Sequence, residues 1–275
     1  MNRPVLRYHG GKWTLAPWII GHFPPHRIYV EPFGGAASVL LRKSRVYSEV
    51  YNDLYGEVVN LFRVLRNPAQ ARELIRLVTL TPYSRQEFEE AYIADGDPIE
   101  QARRTLVRSF LGFGAFSAAG GRTGFRTGFR RSGPAAANDW RHYPPVLADA
   151  VERLRGVTVE NRPAVDVIAT YDDETALFYV DPPYPLSTRG TDAWYAHEMT
   201  DDDHRTLADT LHDCAGMVVV SGYACDLYDR ELFADWQRVE RATHGDGARD
   251  RVEVLWIKPN TILAQPALFD HQEAA

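Results

Sequence analysis

Lysine is scarce in this chain: of 31 basic residues only Lys12, Lys43 and Lys258 are lysine, and the rest are arginine. Each lysine is therefore a less casual choice than usual. Cysteine is nearly absent. Cys214 and Cys225 cannot build a disulfide framework and lack metal-ligand spacing. This excludes a stapled secreted mini-protein and points to a reducing, cytoplasmic setting. Long apolar runs are missing too. The longest aliphatic stretch, residues 217–220, is far too short to cross a membrane. Residues 1–7 lack the apolar core of a signal peptide. There is no internal repeat and no low-complexity tract, so coiled coils and fibres are excluded. The histidines form no metal site: Pro24 and Pro25 break any helix between His22 and His26, and His204 and His212 share a helix face at best. A net charge of −6 excludes a uniformly basic nucleic-acid coat but not a local basic face.

What is present suits a globular chain. Its 275 residues, 45% hydrophobic and 25% charged, can bury a sizeable core in one large domain or two smaller ones. Strand-like and helix-like segments alternate. Residues 27–31 (RIYVE) and 46–53 (VYSEVYND) read as strands, and residues 36–43 and 55–66 as helices. The middle changes character, with helices over 69–80, 85–94 and 98–110. Residues 111–133 follow as a long glycine- and arginine-rich loop or hairpin. Alternation then resumes: helix 143–154, strand 157–161, helix 164–170, strand 176–180, helix 200–213 and strand 217–220. Thr200 is a plausible N-cap. Residues 236–242 and 251–257 alternate like an antiparallel hairpin. This order predicts an α/β fold with a mostly parallel, doubly wound sheet.

Ligands of such sheets sit beyond the carboxyl ends of the strands, and three motifs lie there. In Glu31-Pro32-Phe33-Gly34-Gly35-Ala36-Ala37-Ser38, glycines between a strand and a helix let backbone approach a ligand and aim N–H groups at it; a glycine-rich turn with no ligand has the same look. Asn52-Asp53 ends the next strand. Asp53 can bind ribose hydroxyls or cap the following helix. Asp181-Pro182-Pro183-Tyr184 follows the uncharged strand ALFYV. Its prolines fix the backbone and leave carbonyls as acceptors, so the Asp181 carboxylate and a proline carbonyl can grip an exocyclic amino group while Tyr184 offers a face for stacking. Tyr8-His9-Gly10-Gly11-Lys12 is not a phosphate loop, because the required upstream glycine is absent and residue 6 is Leu6. Residues 101–145 hold eight arginines (103, 104, 108, 122, 126, 130, 131, 141) against one acid, Asp139. Arg122, Arg126, Arg130 and Arg131 are candidates for contacting phosphates or guanine edges, and Phe125 and Phe129 for stacking. A solvated loop has the same composition.

GGK, EPFGG, the acidic strand end and DPPY, in that order over residues 7–259, resemble the Dam-like (D12 class) DNA adenine-N6 methyltransferases. The resemblance implies a Rossmann-like methyltransferase fold. Residues 1–66 and 142–275 would form the catalytic domain, and residues 67–141 a mainly helical target-recognition insert. It implies S-adenosylmethionine as methyl donor, double-stranded DNA as partner, no metal and no membrane. Tyr8, Lys12, Phe33, Gly35, Asp53, Asp166 and Asp181 would line the cofactor site, with Lys12 touching Asp181 or the methionine end. Asp181, Pro182, Pro183 and Tyr184 would hold a flipped adenine, whose nitrogen attacks the sulfonium methyl directly. Residues 185–197 would close over the site. The family usually has a second glycine where this chain has Ala37, and alanine is accommodated there if its φ is negative. The same amino-group grip would serve cytosine N4, RNA or a protein amide. A catalytically weakened DNA-binding homologue is a further alternative, whereas a nicotinamide dehydrogenase gives DPPY no role.

Overall fold

The computed structural model describes residues 1–119, 121–128, 135–189, 195–244 and 250–265. In chain order its elements are α1 (Ala16–Ile20), β1 (Ile28–Glu31), α2 (Ser38–Arg42), β2 (Ser48–Asn52), α3 (Gly56–Arg66), α4 (Pro68–Leu80), α5 (Arg85–Glu90), α6 (Pro98–Leu111) and α7 (Ala136–Arg141), then α8 (Pro144–Leu154), β3 (Val157–Glu160), α9 (Ala164–Thr170), β4 (Ala176–Val180), α10 (Asp201–Asp213), β5 (Met217–Tyr223), β6 (Gln237–His244), β7 (Asp250–Ile257) and α11 (Pro259–Leu263).

Local chemistry explains many of the boundaries. Asn67, Ser84 and Asp97 accept N–H bonds in the first turns of α4, α5 and α6. Thr200 starts α10 with a full capping box closed by Asp203. One expectation needs correction. Strand β5 runs to Tyr223 rather than stopping at Val220, because Ser221, Gly222 and Tyr223 continue to pair with β7; their small or polar side chains hid the extension. The described part of 111–133 takes the hairpin alternative. A 3-10 turn at Phe116–Ala119, a Gly112–Phe125 bridge and the Arg126 N–H bond to the Leu111 carbonyl (2.7 Å) fold it back on itself.

The strands form one sheet in the order β3-β2-β1-β4-β5-β7-β6. The first five are parallel, β7 is antiparallel to β5, and β6 and β7 form the expected hairpin. The chain winds outward from β1 in one direction and from β4 in the other. The crevice between their carboxyl ends is therefore the switch point where such sheets bind ligands. The two-residue period of the strands sorts the side chains. Val30, Val50, Phe178, Val180, Val218 and Val220 pack on one face with the residues of α9 and α10. The opposite face carries Tyr29, Tyr51, Leu177, Tyr179, Val219, Leu255 and Ile257, and α2, α3 and α8 cover it. Helices α4 and α6 join that same core, so the helices between α3 and α8 share packing with the sheet. Among the described residues no helix is long and apolar enough to cross a membrane.

The turn between β1 and α2 departs from expectation. Ala37 has φ +53 and ψ 33, in the left-handed region, and it is the one described non-glycine residue with positive φ. Its N–H closes a turn on the Gly34 carbonyl at 2.7 Å, and its carbonyl accepts the Leu41 N–H that starts α2. The geometry belongs to the turn, and alanine bears a strain of about 1–2 kcal/mol there. Ala37→Gly relieves that strain while giving up a buried methyl worth about 0.8 kcal/mol and some chain entropy. Ala36→Gly, at negative φ, makes the same losses without relief. Urea denaturation should rank Ala36→Gly as the more damaging change by about 1 kcal/mol; the opposite ranking would contradict the strain.

Candidate active site

The strand period also carries the chemistry. Glu31 ends β1, Asp53 follows β2, Asp181 follows β4, Ser221 lies in β5 and Glu253 in β7. All are odd-numbered positions that share a face with Tyr29, Tyr51, Tyr179, Val219 and Leu255. Because β7 runs antiparallel, its beginning reaches the same end of the sheet as the carboxyl ends of β4 and β5.

At the centre lies Lys12, 6% exposed. The tight turn Tyr8–Gly11, with Gly10 at φ +74, brings it inward. Its ammonium bonds Asp181 Oδ2 at 2.9 Å and the Gly10 carbonyl at 2.8 Å, with Glu253 Oε1 at 3.7 Å. It also sits 4.9 Å from the centre of the Tyr184 ring. Burial opposes the charge on Lys12, but Asp181 and Glu253 outweigh burial and hold it firmly protonated. Ser221 donates to Asp181 Oδ1 at 2.9 Å, and its hydroxyl lies 3.0 Å from that of Tyr179. Burial pushes Glu253 up from its ordinary value, assisted by Asp181 and opposed by Lys12 and the Tyr184 hydroxyl.

The glycine turn forms a second cluster. Asp53 accepts N–H bonds from Gly35 and Tyr55, each at 2.8 Å. Burial raises its pKa and those two donors pull it back. A side chain at Gly34 would lie 2.2 Å from the Tyr51 ring, and Gly35, at φ +47, abuts the Tyr8 ring. Glu31 accepts from the Tyr29 hydroxyl and the Leu40 N–H, each at 2.6 Å. Burial nevertheless pushes it up to about 8. The Ser38 hydroxyl is buried and has no hydrogen-bond partner.

Two cavities adjoin here. One, of about 130 Å³, is bounded by the glycine turn, Asp53, Phe33, Asp181 and Pro183, with residues 195–199 along it. The other, of about 670 Å³, is bounded by Tyr184, Arg189, Tyr223, Glu253, Arg241 and Ala115. Residues 8–12, Ser38 and Tyr195 line both. Of the residues expected at the site, Tyr8, Lys12, Phe33, Gly35, Asp53, Asp181 and Pro183 line the first cavity. Asp166 does not. It is exposed in the first turn of α9, where Ala164 lines the cavity instead. Pro182 is buried, and Tyr184 is 4% exposed with its hydroxyl donating to Glu253 at 2.5 Å.

Sequence reasoning missed Glu253, Ser221, Tyr195, His197 and Arg189. Arg189 donates to the Tyr184 carbonyl at 2.6 Å and to Glu198 at 2.6 Å, and it lies against the Tyr195 ring. It thereby ties DPPY to the stretch along the first cavity. None of these residues belongs to a motif.

The arginine-rich region is less basic than its composition. Arg103, Arg104 and Arg108 lie on α6 and pair with Glu87, Glu100, Asp95 and Glu57, acids contributed from before residue 101. Arg126 pairs with Asp139, and Arg122 is exposed with its guanidinium 5.3 Å from the Tyr92 ring centre. Arg130, Arg131 and Phe129 lie outside the described residues. Phe125 is not open for stacking but packs against Tyr83 and Phe88. Among the described residues of this region, Phe113 is an exposed aromatic, at 73%.

Comparison with known proteins agrees with the motifs. The family model described as D12 class N6 adenine-specific DNA methyltransferase matches residues 8–245. The chain is 27% identical over 217 residues to a DNA adenine methylase of Escherichia coli, covering 76% of this chain and 75% of that protein. It is 25% identical over 277 residues to one from Vibrio cholerae, covering 92% and 95%. It also resembles the modification methylase LlaI of Lactococcus lactis, at 27% identity over 72% of this chain and 33% of that protein.

The charge arrangement is open to a direct stability test. Lys12→Met leaves Asp181 and Glu253 facing each other without a cation, and should cost about 3 kcal/mol in urea denaturation at pH 8. Burial already holds the Glu253 pKa above its unfolded value, and losing the opposing ammonium leaves it higher still. The penalty is therefore full at high pH and shrinks as pH falls toward 5. A penalty that is absent, or the same at both pH values, would contradict the shared ion pair.

Proposed function

The chain belongs to the D12 class of N6 adenine-specific DNA methyltransferases, and from that premise we propose that its cavities divide the work, one holding S-adenosylmethionine and the other an adenine turned out of double-stranded DNA. The seven-stranded, mostly parallel sheet is consistent with the Rossmann-like methyltransferase fold. The observation that carries the division is the shared wall: Lys12 and Tyr195 border both cavities, and Lys12 bonds Asp181. Residues 1–66 and 142–275 would then be the catalytic part, and residues 67–141 the part that selects the target.

The donor set suits the cofactor. The unpartnered Ser38 hydroxyl fits the polar methionine end. Asp53, held by the Gly35 and Tyr55 N–H groups, presents acceptor oxygens for ribose hydroxyls. Glycines 34 and 35 let the Tyr51 and Tyr8 rings close on the turn that bounds the cavity. Phe33 supplies apolar surface. S-Adenosylmethionine would supply the electrophilic methyl. The 130 Å³ cavity is below the roughly 300 Å³ of ordinary small-molecule sites, so residues 195–199 would swing outward as the ligand enters.

The protein's own residues then position and polarise. Turning a base out of the duplex costs a few kcal/mol, offset by phosphate contacts and by aromatic surface. Exposed Arg122 and Phe113 are proposed for these contacts together with Arg130 and Arg131; Arg126 is already held by Asp139. Lys12 and Ser221 each engage one Asp181 oxygen, and each oxygen keeps a lone pair for an amino hydrogen. With the Pro182 carbonyl, Asp181 would orient the N6 group and raise its electron density, so that catalysis is mainly positioning and electrostatics. Tyr184 and Pro183 would hold the ring. The DNA substrate suits a cytoplasmic enzyme.

The direct test is incubation of the purified protein with methyl-labelled S-adenosylmethionine and unmodified DNA, followed by nucleoside mass spectrometry. N6-methyladenine is the expected product. Labelled N4-methylcytosine, or label only in RNA or protein, would overturn the reading. Asp181→Ala should lower methyl transfer on the order of 10³-fold while DNA affinity stays within a few-fold. Wild-type-like turnover in that variant would remove the mechanism.

A further inference from the structure

Glu253 lies outside the residues 8–245 matched by the family model, so membership assigns it no role. Its place in the structure is specific. It is 3% exposed, on the strand face that also carries Asp181. It accepts the Tyr184 hydroxyl at 2.5 Å and lies 3.7 Å from the Lys12 ammonium, which bonds Asp181 on its other side. One carboxylate thereby touches both the cation that steadies the first residue of DPPY and the phenol of the last. We propose that Glu253 is a positioning residue for methyl transfer, fixing the Tyr184 ring and centring Lys12 between two carboxylates so that the DPPY arm is held from both ends.

A role in packing alone does not account for the chemistry. A buried carboxylate is expensive to desolvate, and an apolar side chain would fill the same place without that expense. The charged groups around Glu253 are Lys12 and Asp181, with Arg241 opposite it on β6; the phenols are Tyr184, Tyr179 and Tyr223, the last opposite it on β5. Two carboxylates share one ammonium here. Burial raises the Glu253 pKa, with Asp181 as the next cause in the same direction. Glu253→Gln takes this raised, buried carboxyl out of the cluster. The acid limb of the pH–rate profile should then move to lower pH.

This inference rests on the proposed methyl-transfer site, and the test separates the two. Wild-type protein, Glu253→Gln and Tyr184→Phe are compared for kcat, for KM toward DNA and cofactor, and for rate against pH. Glutamine keeps the shape and still accepts the Tyr184 hydroxyl, so a packing role predicts no change. The positioning role predicts a kcat loss of about tenfold or more, the scale on which outer supports of a reacting group act. KM should stay nearly unchanged, and the acid limb should shift downward. Tyr184→Phe removes only the hydroxyl bonded to Glu253. It should lower kcat, and the double variant should be less impaired than the product of the two effects. Should Glu253→Gln fail to fold, Tyr184→Phe decides the matter, and wild-type kcat in it overturns the proposal. Wild-type kcat and pH profile in a folded Glu253→Gln protein overturn it as well. A wild-type protein that methylates no DNA overturns the proposed function and this inference with it.

Discussion

The site depends on one buried ammonium held between two carboxylates. Lys12 comes from the first turn of the chain, Asp181 from the end of a parallel strand and Glu253 from an antiparallel strand near the other terminus. Charges this deep persist only when paired, because desolvation otherwise exceeds any gain. The pairing therefore constrains the fold as much as the chemistry. It fastens the chain start to the sheet and orders the backbone of residues 8–12, which then forms the wall between two cavities. With two carboxylates to one lysine, the cluster is one negative charge in excess. That is a favourable setting for a positively charged methyl donor.

The glycine turn solves a different problem. A short turn joins β1 to α2, the Tyr51 ring leaves no room for a side chain at Gly34, and the Tyr8 ring crowds Gly35. The turn passes through left-handed geometry at Gly35 and again at Ala37. The second instance is strained, and strain of this kind persists where surrounding structure over-determines it. Here the Gly34 and Leu41 hydrogen bonds and complete burial of the methyl do so. Glu31 shows the same priority of placement over comfort. It is a carboxyl pushed up to about 8 by burial, kept at the end of β1 by the Tyr29 hydroxyl and the Leu40 N–H.

Much of this was legible in the residues. Alternating strands and helices indicated the doubly wound sheet, since uncharged runs such as ALFYV suit only a strand covered on both faces. The motifs at strand ends located the crevice. Lys12 was placed at the site by the family resemblance rather than by its rarity. What stayed hidden came from three physical sources. Short elements such as α1 and α11 contain too few residues to show a period. Ion pairs across the fold, such as Arg108 with Glu57, cancelled a charge excess that composition alone suggested. Side chains with no local motif, Glu253 and Arg189 among them, acquire their meaning only when antiparallel pairing or a loop's return sets them beside DPPY.

The central claim is that the Lys12–Asp181–Glu253 cluster stands between donor and acceptor, so that the two meet at Asp181. Its most direct test is a crystal structure with duplex DNA and a non-transferable analogue of S-adenosylmethionine. The account predicts the analogue against Gly34, Gly35 and Asp53. It also predicts an extruded adenine in the neighbouring cavity, its N6 within hydrogen-bonding distance of the Asp181 carboxylate. An adenine bound away from residue 181, or an analogue seated outside the glycine turn, would contradict it.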